Sequence, residues 1–245
     1  MTRNGSYSEA GVLVFDSYKD NLILDKYNRV FLKMNKVKLE AFRSEQSEDA
    51  LIWNIFRTLQ KIDAKLWLPP LFESSFAENR EDIVDKMKIS LWKIISPQNE
   101  TSPDDKKIEI DVMLENDHFV WMLDVRYKSD ARLGGGKRHP IVATIDYGTY
   151  YARGKDFYYS LLYLDERYSP QSKELVELYK SNRTKLLEPL SDRKNQVDSI
   201  KGISTIKLTD FQTLFRFCEE YVRYEDERYL AKLAKNYLTK KLAQR

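Results

Sequence analysis

The alternating stretch at 108–128 constrains the fold of this chain more than any other segment. Apolar residues recur at every second position through 108–114 and again through 119–127, which is the period of a β-strand with one buried face. A polar turn at 115–118 separates the two runs. The sequence therefore predicts two strands joined as a tight hairpin.

The other face of this predicted hairpin gathers ionisable side chains. Asp111 lies on the first strand, and Asp124, Arg126 and Lys128 occupy every second position of the second strand. Two carboxylates and two cations in one small volume are costly to desolvate unless a metal ion or a phosphate occupies the site. This pattern is typical of a site that cleaves phosphodiesters. The alternative is a water-facing surface whose cross-strand acid–base pairs add little stability.

A strong helix signal lies upstream of the hairpin. Ser47 is the predicted N-cap, because acidic residues follow it in the first turn and an apolar stripe runs through 51–59. The stripe must pack against the sheet. We therefore expect Glu48 to lie at the first turn of a helix that supports the hairpin.

The order of these residues, a helix acid, a strand Asp, a turn and a strand with acid-x-base, resembles the PD-(D/E)xK nuclease superfamily. The sequence SEDALIWNIFRTL at 47–59 also resembles the corresponding helix in a group of predicted prokaryotic nucleases of that superfamily. The resemblance covers roughly 44–165 and, more weakly, the stretch to Phe217. It implies an α/β protein with the restriction-endonuclease-like αβββαβ core, in which helices flank a mixed central sheet.

The resemblance also implies roles for individual residues. Glu48 matches the helix acid, Asp111 the Asp of the first motif strand and Asp124 the acid of the (D/E)xK motif. These three carboxylates would bind one or two Mg²⁺ or Mn²⁺ ions. Arg126 stands where the family has Lys.

Arg126 departs from the family pattern, and its role stays open. Arg keeps the positive charge and can bind a phosphate through two N–H donors, but it does not accept a proton at neutral pH. Lys128, about 7 Å further along the same face of the strand, could take the role of the family's lysine. Otherwise the metal ion activates water alone, or the site has lost turnover and only binds.

Composition narrows the remaining choices. A chain of 245 residues with a formal charge of only +3 carries no bulk signature of nucleic-acid binding, so any such surface must be a local patch. One cysteine and two histidines exclude a disulfide framework and a metal site rich in cysteine or histidine. Carboxylates are left as the metal ligands, and the ions that carboxylates bind well are Mg²⁺ and Mn²⁺.

Two basic segments are candidates for contacts with a nucleic-acid backbone. Three glycines at 134–136 predict a mobile loop that carries Lys137 and Arg138, which is either a plain connection or a loop that closes on phosphates. The stretch 228–245 contains no acid and forms either a solvated helix face or a second phosphate contact. Its candidate residues are Lys232, Lys235, Lys240 and Lys241.

The length suits a single domain over 1–245, with N-terminal strands at 1–40, a catalytic core at 44–165 and C-terminal helices at 171–245. Other predicted elements are short strands at 11–34 that extend the core sheet or, alternatively, contact a partner, an apolar loop with buried aromatics at 67–72, an amphipathic helix at 76–95, a helix at 141–152, a buried strand at 157–164, and helices at 171–190 and 209–245. The start of the chain shows no signal peptide, and no apolar run approaches a membrane span. A cytoplasmic protein is expected.

These features together predict metal-dependent hydrolysis of nucleic-acid phosphodiester bonds by a DNA endonuclease of the restriction, repair or defence type. The alternative function is a catalytically degenerate nuclease fold that serves as a nucleic-acid-binding or assembly module. The expected partner is DNA, with RNA and a second copy of the chain left open. No membrane partner is expected.

Overall fold

The computed structural model describes residues 4–97, 107–130, 139–190 and 194–243. The strands are Gly5–Tyr7 (β1), Leu13–Phe15 (β2), Lys88–Ile95 (β3), Ile108–Glu115 (β4), Phe119–Arg126 (β5), Asp156–Tyr163 (β6) and Ile200–Lys207 (β7). The helices are Val30–Lys33 (α1), Lys36–Ala41 (α2), Glu48–Leu59 (α3), Ala64–Phe76 (α4), Pro140–Ala152 (α5), Pro170–Ser181 (α6), Lys194–Asp198 (α7), Leu208–Tyr221 (α8) and Glu225–Ala243 (α9). Short 3-10 helices occur at Tyr18–Asn21, Asp82–Val84 and Arg183–Leu187.

Contacts between residues divide the chain into two compact units. The first unit combines 1–63 with 211–245, and the second unit is 64–210. A division of contacts does not test whether the units fold separately, so the single domain expected over 1–245 stays a prediction.

In the second unit, the described strands form one five-stranded sheet of order β3-β4-β5-β6-β7. The first three strands are antiparallel neighbours, and β6 runs parallel to both β5 and β7. A parallel pair needs a crossover connection, which α5 supplies between β5 and β6. The predicted α/β class with a mixed central sheet is confirmed at this level.

The predicted hairpin is confirmed as β4 and β5. Asn116 holds its turn, because the side-chain oxygen accepts the backbone N–H groups of His118 at 2.8 Å and Phe119 at 3.0 Å. Met113 pairs directly with Met122, which places these two side chains on one face of the sheet. Asp111, two residues before Met113, and Asp124, two residues after Met122, lie on the same face.

Helices cover both faces of this sheet. The core on the Met122 face includes Ile145 of α5 and Val176 of α6. The opposite face packs on α4, where the ring of Phe72 meets the ring of Trp121 edge-on at 5.6 Å. Because both faces are covered, a polar side chain on either face is buried unless it lies near a strand end.

The first unit holds the helix that carries Glu48. Ser47 caps α3 as predicted, since its hydroxyl accepts the N–H of Ala50 at 3.2 Å. This helix packs with α9, and the ring of Phe56 meets the ring of Phe211 edge-on at 5.5 Å. The predicted helices at 141–152 and 209–245 and the strand at 157–164 are also confirmed as α5, α8, α9 and β6, and the helix at 171–190 is confirmed as α6 up to Ser181.

The amphipathic helix predicted at 76–95 is wrong. Helix α4 ends at Phe76, and Lys88–Ile95 is the edge strand β3. Trp92 adopts a φ of 53° in the middle of this strand. The pairing with β4 keeps one register on both sides of Trp92, so the strand continues through it. Apolar residues occur on both faces of the strand and Lys93 lies on the face of Ile89 and Ile95, so the sequence does not show the period of a strand.

The loop predicted at 67–72 is also wrong, because α4 continues through Pro69 and Pro70. Each proline removes a helical hydrogen bond. Complete burial of Trp67 and Phe72 offsets that cost. The expected burial of the aromatic residues in this segment is confirmed.

The strands predicted at 11–34 do not extend the core sheet. β1 and β2 form a separate two-stranded sheet, and Tyr18–Asn21 and α1 are helical. Too few residues alternate here to span a sheet edge. Strand β7, at 200–207, was not predicted from the sequence.

Candidate active site

Asp111 lies where β4 and β5 separate. The described backbone pairs of the hairpin run from Glu115–Val120 to Val112–Leu123. One position further, Asp111 Oδ2 accepts the backbone N–H of Val125 at 2.8 Å. The side chain of Asp111 therefore takes the place that a backbone carbonyl would hold in a continued ladder.

Asp124 lies on the same face of the sheet as Asp111. Each residue is two positions from the directly paired Met113 and Met122. Asp124 is only 4% exposed. The structure thus brings together the two carboxylates that the sequence analysis assigned to one site.

Two hydroxyl groups orient the buried carboxylate of Asp124. The Tyr159 hydroxyl donates to Oδ2 at 2.9 Å, and Thr144 Oγ1 donates to Oδ1 at 3.3 Å. Tyr159 comes from β6 and Thr144 from α5, so three elements fix this one carboxylate. Neither residue was predicted from the sequence, because the register between β5 and β6 cannot be read from either strand alone.

Burial and the neighbouring positive charge shift the pKa of Asp124 in opposite directions. Desolvation is the largest influence and raises the pKa of Asp124, while the charge of Arg126 and the hydrogen bonds from Tyr159 and Thr144 act to lower it. Burial and the charge of Asp124 raise the pKa of Tyr159 well above its ordinary value. Tyr159 therefore remains a hydrogen-bond donor at neutral pH.

Arg126 lies beside the two carboxylates. Its Nη1 is 3.6 Å from Asp111 Oδ2 and donates to the carbonyl of Val125 at 2.7 Å. The side chain of Arg126 is 18% exposed. A guanidinium group thus contributes positive charge directly to the acidic cluster.

Lys128 and His139 lie near the ends of the elements that build the cluster. The ammonium of Lys128 is 5.8 Å from the ring centroids of both Tyr127 and Tyr168. His139 caps α5, and its Nδ1 accepts the N–H of Ile141 at 3.2 Å. The charge of His139 also acts on Asp124. The sequence analysis gave His139 no role in the site.

Other predicted site residues belong to the first unit or fall outside the described residues. Glu48 is in the first turn of α3 and belongs to the first unit, whereas the cluster is built from the second unit. Lys137 and Arg138, and the glycine loop before them, fall outside the described residues. Their contacts with phosphates stay predictions.

Some of the basic side chains of α9 make contacts within the protein. Lys235 forms an ion pair with Glu219, and Lys241 is buried and donates to the carbonyl of Glu45. Lys232 and Lys240 are exposed. The surface that α9 can offer to a phosphate backbone is therefore smaller than its sequence indicates.

The donor chemistry of the cluster fits Mg²⁺. Asp111 and Asp124 supply hard carboxylate oxygens, and Mg²⁺ is commonly held by one or two carboxylates together with water and substrate phosphates. Within the described ranges, no group of three or more His, Cys, Asp or Glu side chains could hold a metal ion.

Comparison of the chain with protein-family models, with curated proteins and with solved structures gives no match. Among the helices that the structure describes, none is long and apolar enough to cross a membrane.

The raised pKa of Asp124 predicts how stability depends on pH. Between the ordinary value of 3.8 and the raised value, the folded state binds more protons than the unfolded chain, so the free energy of unfolding falls as pH rises. Asp124→Asn removes this dependence. We expect the stability of the variant relative to wild type to increase from pH 4 to pH 8, as measured by urea unfolding. The exposed Asp117→Asn is the control, and a difference that does not change with pH would contradict the prediction.

Proposed function

We propose that this chain is a metal-dependent phosphodiesterase that hydrolyses DNA, with its catalytic cluster in the second unit. One observation carries the proposal. A carboxylate that is almost fully buried, Asp124, shares a sheet face with Asp111 and with the guanidinium of Arg126. Burying acidic groups without full neutralisation is costly, which favours a role in binding cations and phosphates.

The order of elements in the second unit supports a restriction-endonuclease-like core. Helix α4 is followed by β3, β4, β5, α5 and β6, which is an αβββαβ sequence, although the helix that carries Glu48 is α3, one helix earlier in the chain. Asp111 lies on the second of these strands and Asp124 on the third. This order and the strand positions agree with the resemblance to PD-(D/E)xK nucleases, and they support that family as the proposed one.

Each residue of the cluster has a proposed chemical role. Asp111 and Asp124 would hold the Mg²⁺ or Mn²⁺ ion; a role for Glu48 stays a prediction from the sequence. When bound, such an ion lowers the pKa of a water molecule and offsets charge on the phosphate. Arg126 would bind non-bridging phosphate oxygens through its N–H groups. Thr144 and Tyr159 keep the carboxylate of Asp124 in one orientation.

A second candidate function is a nuclease fold that binds nucleic acid without cleaving it. The contact between Arg126 and Asp111 favours this alternative, because an arginine paired with an acidic ligand cannot act as a general base. The two candidates share the same site and partner. They differ in turnover alone.

Plasmid cleavage separates the two functions. We expect the purified chain to nick or linearise supercoiled DNA in Mg²⁺ or Mn²⁺ and to be inactive in EDTA. An RNA duplex and a single-stranded oligonucleotide in parallel reactions would define the substrate class. Binding of DNA in Ca²⁺ without cleavage in Mg²⁺ or Mn²⁺ would support the non-catalytic alternative, and absence of both would reject the two proposals.

Affinity for DNA should depend modestly on the exposed lysines of α9. The double variant Lys232→Gln with Lys240→Gln removes two cations that are exposed in the structure. If both contact phosphates, the slope of log K against log salt should become shallower by about 2. The matched control removes the exposed Lys33 and Lys36 of the same unit. An unchanged slope in the α9 variant would assign this helix a purely structural role.

A further inference from the structure

Arg126 places a positive charge beside the carboxylates that are proposed to bind a metal ion. Its Nη1 is 3.6 Å from Asp111 Oδ2, and its position two residues from Asp124 on one strand puts both side chains on the same face. Both partners in the contact are mostly buried, with the side chains of Arg126 and Asp111 18% and 23% exposed. The guanidinium therefore neutralises part of the negative charge of the cluster in the protein alone.

Arg126 contacts both an acidic side chain and the backbone of its own strand. It forms an ion pair with Asp111 and a hydrogen bond to the carbonyl of Val125, the preceding residue. An arginine side chain has several rotatable bonds, so its guanidinium can exchange one acceptor for another. Asp111 accepts the backbone N–H of Val125, and Asp124 accepts two hydroxyls, so both carboxylates stay in place while the guanidinium moves.

We propose that Arg126 is an internal counter-ion that competes with a divalent cation for the carboxylates of Asp111 and Asp124. This inference rests on the proposed function. A guanidinium and a divalent ion repel each other, so binding of the ion releases Arg126 from Asp111. The released side chain is then free to bind a phosphate, which couples the affinity for the ion to the affinity for a phosphodiester.

This role explains why an arginine suits position 126. A guanidinium can contact a carboxylate and later grip two phosphate oxygens, because its donors form a planar fork. The acidic cluster is thereby partly neutralised in both states. Arg126 then contributes to ion affinity negatively and to substrate affinity positively.

Calorimetric titration with Mn²⁺ tests the competition directly. At pH 8, Arg126→Gln should bind Mn²⁺ about tenfold more tightly than wild type, because a like charge near the ion is removed. Arg153→Gln is the matched control: it removes one positive charge from the same unit, about 13 Å from Thr144 along α5. Its Mn²⁺ affinity should equal that of wild type.

The coupling has its own measurement. In wild type, Mn²⁺ should tighten binding of a phosphorothioate oligonucleotide that a gel shows to be uncut during the titration, and Arg126→Gln should lose most of that enhancement. Arg126→Met, which keeps much of the side-chain volume, repeats both measurements if the Gln variant unfolds at a lower temperature than wild type.

The outcomes separate this inference from the proposed function. If wild type binds Mn²⁺ and cleaves DNA, but Arg126→Gln and Arg126→Met bind Mn²⁺ no more tightly, the counter-ion role is overturned and the nuclease proposal stands. If Mn²⁺ binds only after Arg126 is replaced, the competition is supported even where wild type shows no turnover. If neither wild type nor the variants bind Mn²⁺ and wild type does not cleave DNA, both proposals are overturned.

Discussion

Asp111→Ala should lower the rate of DNA cleavage on the order of a thousandfold, which corresponds to about 4 kcal/mol of transition-state stabilisation. The expected loss is large because Asp111 is one of only two carboxylates proposed to hold the ion. Plasmid nicking in saturating Mg²⁺, with the rate measured in single turnover, gives the comparison with wild type.

A structural loss must be distinguished from a chemical one, because Asp111 also accepts the N–H of Val125. Asp111→Asn keeps an acceptor for that N–H and removes the charge. It should unfold at nearly the temperature of wild type and still lose most of its activity. Asp117→Ala, in the turn of the same hairpin, removes a carboxylate that is 72% exposed and should cut normally. Cleavage by Asp111→Asn at the wild-type rate would remove Asp111 from the site.

The hairpin that carries the site could be predicted from sequence because its information is local. Alternation within each strand and the polar turn fix β4 and β5 without reference to the rest of the chain. The same holds for α3, whose cap at Ser47 and apolar stripe lie within one helix. Direct pairing of Met113 with Met122 then brings Asp111 and Asp124 to one face.

The residues around Asp124 could not be predicted because their information is not local. Tyr159 reaches Asp124 through the parallel register of β5 and β6, in which Met122 pairs with Tyr159. Thr144 reaches it through the packing of α5 on the sheet. Neither relation leaves a period or a motif in the chain.

Strand β3 was predicted as a helix for a different reason. Its sequence spaces apolar residues in a way that also fits a helix, because Trp92 and Ile94 are apolar on one face while Lys93 interrupts the apolar residues of the other. Pairing with β4 along most of its length decides between the two structures. A contact between distant segments overrides the local preference here.

The close approach of α5 to the sheet links the packing of the second unit to its chemistry. Gly148 lies on the α5 face that meets β6, and a Cβ at this position would be 2.5 Å from the ring of Phe157 and 2.9 Å from the sulfur of Met122. Both neighbours are fully buried. The absence of a side chain at Gly148 thus allows α5 to lie near enough for Thr144 to reach Asp124.

Gly148→Ala should therefore destabilise the protein although alanine is the better helix former. Helix propensity favours the variant by about 1 kcal/mol. Overpacking against a buried ring costs typically about 1–3 kcal/mol, and the contact at 2.5 Å is far shorter than a normal carbon–carbon contact, so the cost lies at the upper end. We expect a net loss of about 2 kcal/mol in the free energy of unfolding, measured with urea.

The same variant should also impair cleavage, because displacing α5 weakens the hydrogen bond from Thr144 to Asp124. Ala143→Leu is the control on the same helix: it adds more volume at a position that is partly exposed, and it should change neither stability nor cleavage by much. Thr144→Val separates the two effects of Gly148→Ala, since it removes the hydroxyl without moving the helix. If Gly148→Ala is as stable as wild type, the close packing of α5 on β6 is not what holds Thr144 against Asp124.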